Sequence, residues 1–257
     1  MAVHKLIILR HGESEYNNQS KFCGWIDAPL SAQGKQEAIK AANLIALADL
    51  HPQIMFTSRL LRLIDTGYII LKELNKLYVD HVKTWRLNER HYGLYQGRVK
   101  HEVFRELGED KYKWVRRNFR AVPPLVPLDA IDHSIDDDYD DRYKAEMGES
   151  RRLLPRGESL EMVMDRLIPY FRVEILEEQL IVENKTVLVV THGSIVRSLI
   201  KYLNKVDDDA ISGVNVPTGV PLVFELDEDL HLIKFYYLDK EAAERGIAKV
   251  SKEGIEK

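Results

Sequence analysis

Apolar residues along this chain recur with two different periods. Runs at residues 6–9, 54–57 and 187–190, apolar throughout but for Thr57, read as buried strands, whereas stretches whose apolar positions return every three or four residues read as helices. Ser31 predicts a capped helix start, followed by Ala38, Ala41, Ala42 and Ile45 on one face. Ser58 predicts another, with Leu61, Ile64 and Tyr68 sharing an apolar side, and a short third strand falls at 79–82. Two helical segments follow near 101–107 and 110–118, a longer helix runs from Glu158 or Ser159 to about 177, and another covers 195–203. Segments 221–225 and 231–237 close the pattern as strands. Strand and helix alternate through most of the chain, which predicts an α/β fold with helices on both faces of a central, mostly parallel sheet.

Three segments depart from this rhythm. Residues 84–97 are polar and aromatic without periodicity, as in surface loops that carry function. Residues 123–152 contain three prolines and the acidic run Asp136, Asp137, Asp138, Tyr139, Asp140, Asp141, and read as an insertion kept solvated by its charge. The charged end, about 239–257, reads as a mobile helix or tail. No solenoid repeat or low-complexity linker appears, so one domain over 1–257 is the simplest count.

Composition narrows the function. At 257 residues, 45% hydrophobic and 30% charged, the chain has the make-up of a soluble globular enzyme. A net charge of −4 gives no global attraction to nucleic acid or membrane, so any anion site has to be local, built by gathering basic side chains. One cysteine, Cys23, excludes an internal disulfide and a multi-cysteine zinc site, which fits a reducing compartment. The apolar run at 6–9 is too short for a signal segment and no later stretch approaches a membrane span, so a cytoplasmic protein is expected.

The chemistry is concentrated where two strands stop. Residues 6–9 deliver Arg10, His11 and Gly12, and residues 187–190 deliver Thr191, His192 and Gly193. In open α/β sheets, ligands sit outside the carboxyl ends of the strands, so neighbouring strands would bring His11 and His192 to one site. Two imidazoles suit phosphoryl transfer: one forms a phosphohistidine and the other, when protonated, donates to the phosphoryl oxygens. A guanidinium supplies forked donors to phosphate, and glycine lets a tetrahedral group approach the backbone. The plainer alternative for His192 is a hydrogen-bonded histidine at a strand end.

The chain resembles the cofactor-dependent phosphoglycerate mutases of the histidine phosphatase superfamily. The resemblance rests on residues 10–17 (RHGESEYN), Gly24 and Trp25, Leu30 and Ser31, Thr57 and Ser58, residues 85–93 (WRLNERHYG), Arg116 and Arg117, residues 158–160 (ESL), His192 and Gly193, and residues 217–219 (PTG). It implies a three-layer α/β/α fold. It also implies that His11 is the nucleophile, that Arg10, Arg62 and His192 hold the transferring phosphoryl group, and that Glu89 is the general acid and base. Ser14, Asn17, Cys23, Gly24, Arg90, Gly193 and Ser194 would line the substrate pocket, while Tyr92, Lys100, Arg116 and Arg117 would grip the carboxylate and the non-reacting phosphate.

The implied reaction interconverts 3-phosphoglycerate and 2-phosphoglycerate, in glycolysis and gluconeogenesis. It is primed by 2,3-bisphosphoglycerate without a metal ion, in a homodimer or homotetramer. The tail, with the 123–152 insertion, would act as a lid against water. Plainer alternatives remain for some of these residues: Glu89 could pair with Arg86 or Arg90, and Arg116 and Arg117 could be a solvated helix face.

Four departures from the family pattern stand out. Cys23 replaces a hydroxyl with a weak thiol donor, and Ser194 has shorter reach than the usual asparagine. Asp65, three residues after Arg62, is placed to draw that arginine into an ion pair. Leu94, Tyr95 and Gln96 replace small or apolar residues. Two rivals follow: a phosphatase on the same scaffold, and a weakly active or inactive paralogue with a binding or regulatory role.

Overall fold

The computed structural model describes residues 3–127, 142, 143, 146 and 154–255. A six-stranded sheet has the order β3-β2-β4-β1-β5-β6. Its strands are β1 (His4–Arg10), β2 (Ile54–Thr57), β3 (Asp80–Lys83), β4 (Val187–Thr191), β5 (Leu222–Leu226) and β6 (Leu232–Tyr237). The first four run parallel, β5 lies antiparallel to β1, and β6 antiparallel to β5. The helices are α1 (Glu15–Asn18), α2 (Ala32–Leu47), α3 (Leu61–Glu73), α4 (Lys100–Leu107), α5 (Glu109–Arg117), α6 (Leu160–Tyr170), α7 (Gly193–Asn204) and α8 (Lys240–Lys252).

The period of two in the strands builds the layers. Leu6, Ile8, Val187 and Val189 pack on one face against Leu167, Phe171, Ile195 and Leu199 of α6, its extension and α7. Ile7, Leu9, Leu188 and Val190 pack on the other against Ala41, Ala42 and Ile45 of α2 and Leu63, Ile70 and Leu71 of α3. The central strands are therefore buried on both sides, which is why they read as continuous apolar runs.

Three expectations are corrected. Helix α3 does not present Leu61, Ile64 and Tyr68 to the core: Tyr68 is 53% exposed and Leu61 39%, while Leu63, Thr66, Gly67, Ile70 and Leu71 are buried. The small Gly67 sets that face, because a β-carbon there would come within 2.6 Å of Met55 Sδ on β2. Ser58 does not cap the helix, whose N-cap is Leu60. The helix expected to end near 177 instead continues past α6 as π-helical turns over Phe171–Val182, just beyond Pro169, which has no N–H for the normal ladder. Most of the expected insertion at 123–152 lies outside the described residues.

Candidate active site

Pairing of β1 with β4 sets Arg10 opposite Thr191, so the next residues, His11 and His192, leave the sheet side by side. His11 N–H donates to the Thr191 carbonyl at 2.9 Å. The two rings stand edge to face with centroids 5.2 Å apart. His11 Nδ1 lies 2.6 Å from the Gly12 carbonyl oxygen, which can only accept a hydrogen bond, so Nδ1 carries the proton and Nε2 keeps its lone pair free. Gly12 itself is packed against the start of α2, where an added β-carbon would lie 2.2 Å from the Gly34 carbonyl oxygen.

His192 Nδ1 accepts from Arg62 Nη2 at 3.3 Å, which puts its proton on Nε2, facing Ser58 Oγ at 3.0 Å. Burial, then Arg62 and Arg10, push His11 well below its ordinary pKa; burial, then Arg62 and His11, do the same to His192. In the free protein both rings are neutral bases. An arriving phosphoryl dianion would raise them by opposing the arginines.

This neutrality has a consequence for stability. Burial, aided by Lys83 and Arg166 respectively, also lowers His81 and His91, each to about 4. Unfolding returns all four to about 6.5, so below that value the unfolded chain binds more protons than the folded one. Their stabilising contribution is present above about pH 6.5 and is lost as the pH falls toward 4. Chemical denaturation is expected to show a marked loss of unfolding free energy between pH 7 and pH 5; equal stability at the two values would contradict it.

Around the pair, cationic side chains converge. Arg10 Nη1 donates to the Val216 carbonyl at 2.8 Å, and Arg62 is held by the carbonyls of Gly24 and Ile26 at 2.8 and 2.9 Å. Gly24, at φ +55°, adopts the left-handed conformation in offering that carbonyl. The Nε atoms of Arg10 and Arg62 are buried and have no hydrogen-bond partner among the described residues, a property suited to a bound polyanion. Asp65 does not draw Arg62 away, since that guanidinium is committed to the two carbonyls and His192.

Glu89 enters the same pocket from the tract that follows β3. Its Oε1 accepts from the backbone N–H of Arg90 at 2.8 Å and of Ser194 at 3.3 Å, so the carboxylate is held by the neighbouring amide of its own tract and by one amide at the N-terminus of α7 rather than by Arg86 or Arg90 side chains. Arg86 pairs with Glu146, and Arg90 Nη2 donates to the Val115 carbonyl. The tract has little regular structure, and Arg166 of α6 supports it by donating to the carbonyls of Arg86, Asn88 and Glu89 at 2.7, 2.9 and 3.0 Å. Arg166 is fixed in turn by a forked pair with Glu158, whose Oε2 also accepts from His91 N–H. Trp25 Nε1 adds a further tie, to the Glu89 carbonyl at 2.6 Å.

The pocket is further bounded by Lys100, Arg116, Arg117 and Arg197. Burial, then Arg116 and Arg197, bring Arg117 down to about 9; burial, then Arg90, bring Arg197 to about 10. Both shifts report crowded positive charge. Lys100 Nζ pairs with Glu253 Oε2 at 2.6 Å, just beyond the end of α8.

Of the residues singled out from sequence, Arg10, His11, Asn17, Cys23, Gly24, Arg62, Glu89, Tyr92, Lys100, Arg116, Arg117, Gly193 and Ser194 line this one pocket. Three stand behind its wall. His192 is fully buried against His11 and Arg62, Ser14 caps α1 and contacts Asn17, and Arg90 lies 4.6 Å from the centre of the Tyr92 ring. Cys23 turns its thiol to the Ile26 carbonyl at 3.3 Å, and burial pushes it up, so it is a neutral thiol. Gln96 Oε1 takes a structural role, accepting from Trp25 N–H.

Sequence reasoning missed Lys21, Phe22, Arg197, Val216, Val250 and Glu253 in the lining, and Ser58 against His192. Arg197 had a signal, falling one helical turn after Gly193; Glu253 had none. Among the described residues, no group of three or more His, Cys, Asp or Glu side chains is arranged to hold a metal ion, and no helix is long and apolar enough to cross a membrane.

A facing histidine pair at the carboxyl ends of adjacent parallel strands, ringed by arginines, defines a histidine phosphatase site. The chain matches that superfamily (branch 1) over residues 6–126 and 128–237, and belongs to it. Within the superfamily it is similar to phosphoglycerate mutases. It is 43% identical to phosphoglycerate mutase 1 of Saccharomyces cerevisiae over 97% of this chain and 98% of that one. With the 2,3-bisphosphoglycerate-dependent phosphoglycerate mutase of Borreliella afzelii it shares 44% identity over 98% of this chain and 99% of that one. Among solved structures, the fold matches a mycobacterial glucosyl-3-phosphoglycerate phosphatase with a TM-score of 0.67 at 20% identity, covering 91% of this chain and 98% of the other.

Proposed function

We propose that the protein is a 2,3-bisphosphoglycerate-dependent phosphoglycerate mutase, interconverting 3-phosphoglycerate and 2-phosphoglycerate in cytoplasmic glycolysis and gluconeogenesis, as a homodimer or homotetramer. The observation that carries this reading is a pair of neutral, adjacent histidines, His11 in the lining of a cation-rich pocket and His192 directly behind it, together with the carboxylate of Glu89 in the same lining. His11 Nε2 attacks phosphorus, its ring oriented by the Gly12 carbonyl. Arg10, Arg62 and His192 balance the charge of the transferring group. When the phosphoryl group leaves for the substrate hydroxyl, the N–P bond breaks, the O–P bond forms, and Glu89 takes the hydroxyl proton. On return of the second phosphate to His11, Glu89 gives that proton to the departing oxygen.

The buried arginine Nε donors and the crowded cations fit 2,3-bisphosphoglycerate, which when bound supplies the priming phosphoryl group. Lys100, Arg116, Arg117 and Tyr92 would receive the substrate's non-reacting anionic groups. Helix α8 and the residues after it act as a lid that keeps water from the phosphohistidine. The decisive experiment compares isomerisation of 3-phosphoglycerate with release of inorganic phosphate after priming. Isomerisation is expected to dominate; phosphate release without isomerisation would make the protein a phosphatase.

A further inference from the structure

Glu253 is a half-buried carboxylate, its side chain 20% exposed, that the proposed chemistry does not use. It follows α8 directly, where Gly254, at φ +81°, turns the chain against Tyr112 so closely that a β-carbon would lie 2.0 Å from its hydroxyl oxygen. Its Oε2 meets Lys100 Nζ at 2.6 Å and Arg116 Nη2 at 3.1 Å. Its backbone carbonyl accepts from Arg116 Nη1 at 2.6 Å and from the Tyr112 hydroxyl at 3.2 Å, and Arg117 Nη2 donates to the Val250 carbonyl one helical turn earlier. Burial pushes the Glu253 carboxyl up, but Lys100, Arg116 and Arg10 outweigh that and hold it well below the usual carboxylate range. It is charged at every pH at which the enzyme would work.

We propose that Glu253 is a specificity-determining residue that selects substrate hydroxyl over water as phosphoryl acceptor. It stands in for the substrate's non-reacting anionic group whenever the pocket holds no substrate. The proposal rests on the mutase reading, in which Lys100 and Arg116 receive that group. With the tail in place Lys100 is only 6% exposed, and lifting the tail with nothing to replace Glu253 leaves its ammonium beside the Arg116 guanidinium without the carboxylate that neutralises both. With Glu253 in place the cavity measures about 70 Å³, room for a few waters, and Glu253 forms part of its lining. A phosphoglycerate exchanges one anion for another and so moves the tail at little net electrostatic cost. Water carries no charge to offer in exchange, and the closed tail keeps bulk solvent from His11. The same contact makes Glu253 an internal competitor, raising the substrate concentration needed to fill the site.

The test uses the full chain, wild type and Glu253→Gln, each phosphorylated on His11 with 2,3-bisphosphoglycerate. Without substrate, acid-labile phosphate is expected to disappear about tenfold faster from the variant, while its KM for 3-phosphoglycerate falls by up to about tenfold, a change of 1.4 kcal/mol. Glu253→Ala is expected to move both readouts in the same direction. Unchanged hydrolysis and KM would overturn the proposal. So would faster hydrolysis with a raised KM, since the tail would then be gripping substrate rather than replacing it. The two readings fail differently: no acid-labile phosphate on wild-type His11 removes the mutase assignment, and this one with it. A normally phosphorylated wild type beside an indistinguishable Glu253→Gln removes only the role of Glu253.

Discussion

His11→Ala is expected to eliminate acid-labile phosphate after incubation with 2,3-bisphosphoglycerate and to lower isomerisation by about 10⁴-fold or more, since removing a covalent nucleophile closes the route rather than slowing one step. The structure gives reason to expect a folded variant. The ring is tied to the protein through one bond to its neighbouring carbonyl, and the backbone N–H that joins it to Thr191 survives the substitution. Phosphate analysis on the intact protein, with a coupled assay of 2-phosphoglycerate, gives both readouts. Retention of the label in the variant would move the nucleophile elsewhere.

Glu89→Gln is expected to cost about 10²- to 10⁴-fold in kcat, the range for loss of a positioned general acid and base, with KM for 3-phosphoglycerate little changed. The amide oxygen can still accept from the N–H groups of Arg90 and Ser194, so the tract held by Arg166 should keep its place. What is lost is the ability to take and return a proton. Steady-state kinetics would show the loss in kcat; an unchanged kcat would mean that another group moves the proton.

Much of this site was legible because its two histidines end continuous apolar runs, and such runs are what buried parallel strands require. Arg10, Arg116 and Arg117 lay within the motifs that carry the family resemblance, and Arg62 and Lys100 were carried over from it by position. Less visible were residues whose role depends on packing between distant segments. Arg166 reads as an ordinary charged helix residue until its guanidinium is seen against the carbonyls of Asn88 and Glu89, and Glu253 lies in a charged tail without pattern. The face of α3 was misread because its buried side is lined partly by Thr66 and Gly67, which carry little hydrophobic signal but permit close approach to β2. The suspected pull of Asp65 on Arg62 failed for a related reason: helical spacing gives proximity, whereas the guanidinium's direction is set by carbonyls from another loop.

The position of β1 has a consequence for how the molecule comes into being. It lies between β4 and β5, both drawn from the second half of the chain, so during translation the ribosome has released it long before either flanking partner exists. Until then its unpaired edges are available to other chains, which makes nascent fragments ending before residue 187 candidates for chaperone binding or aggregation. Since the same late pairing aligns the two imidazoles, catalytic competence arises only once that pairing is complete.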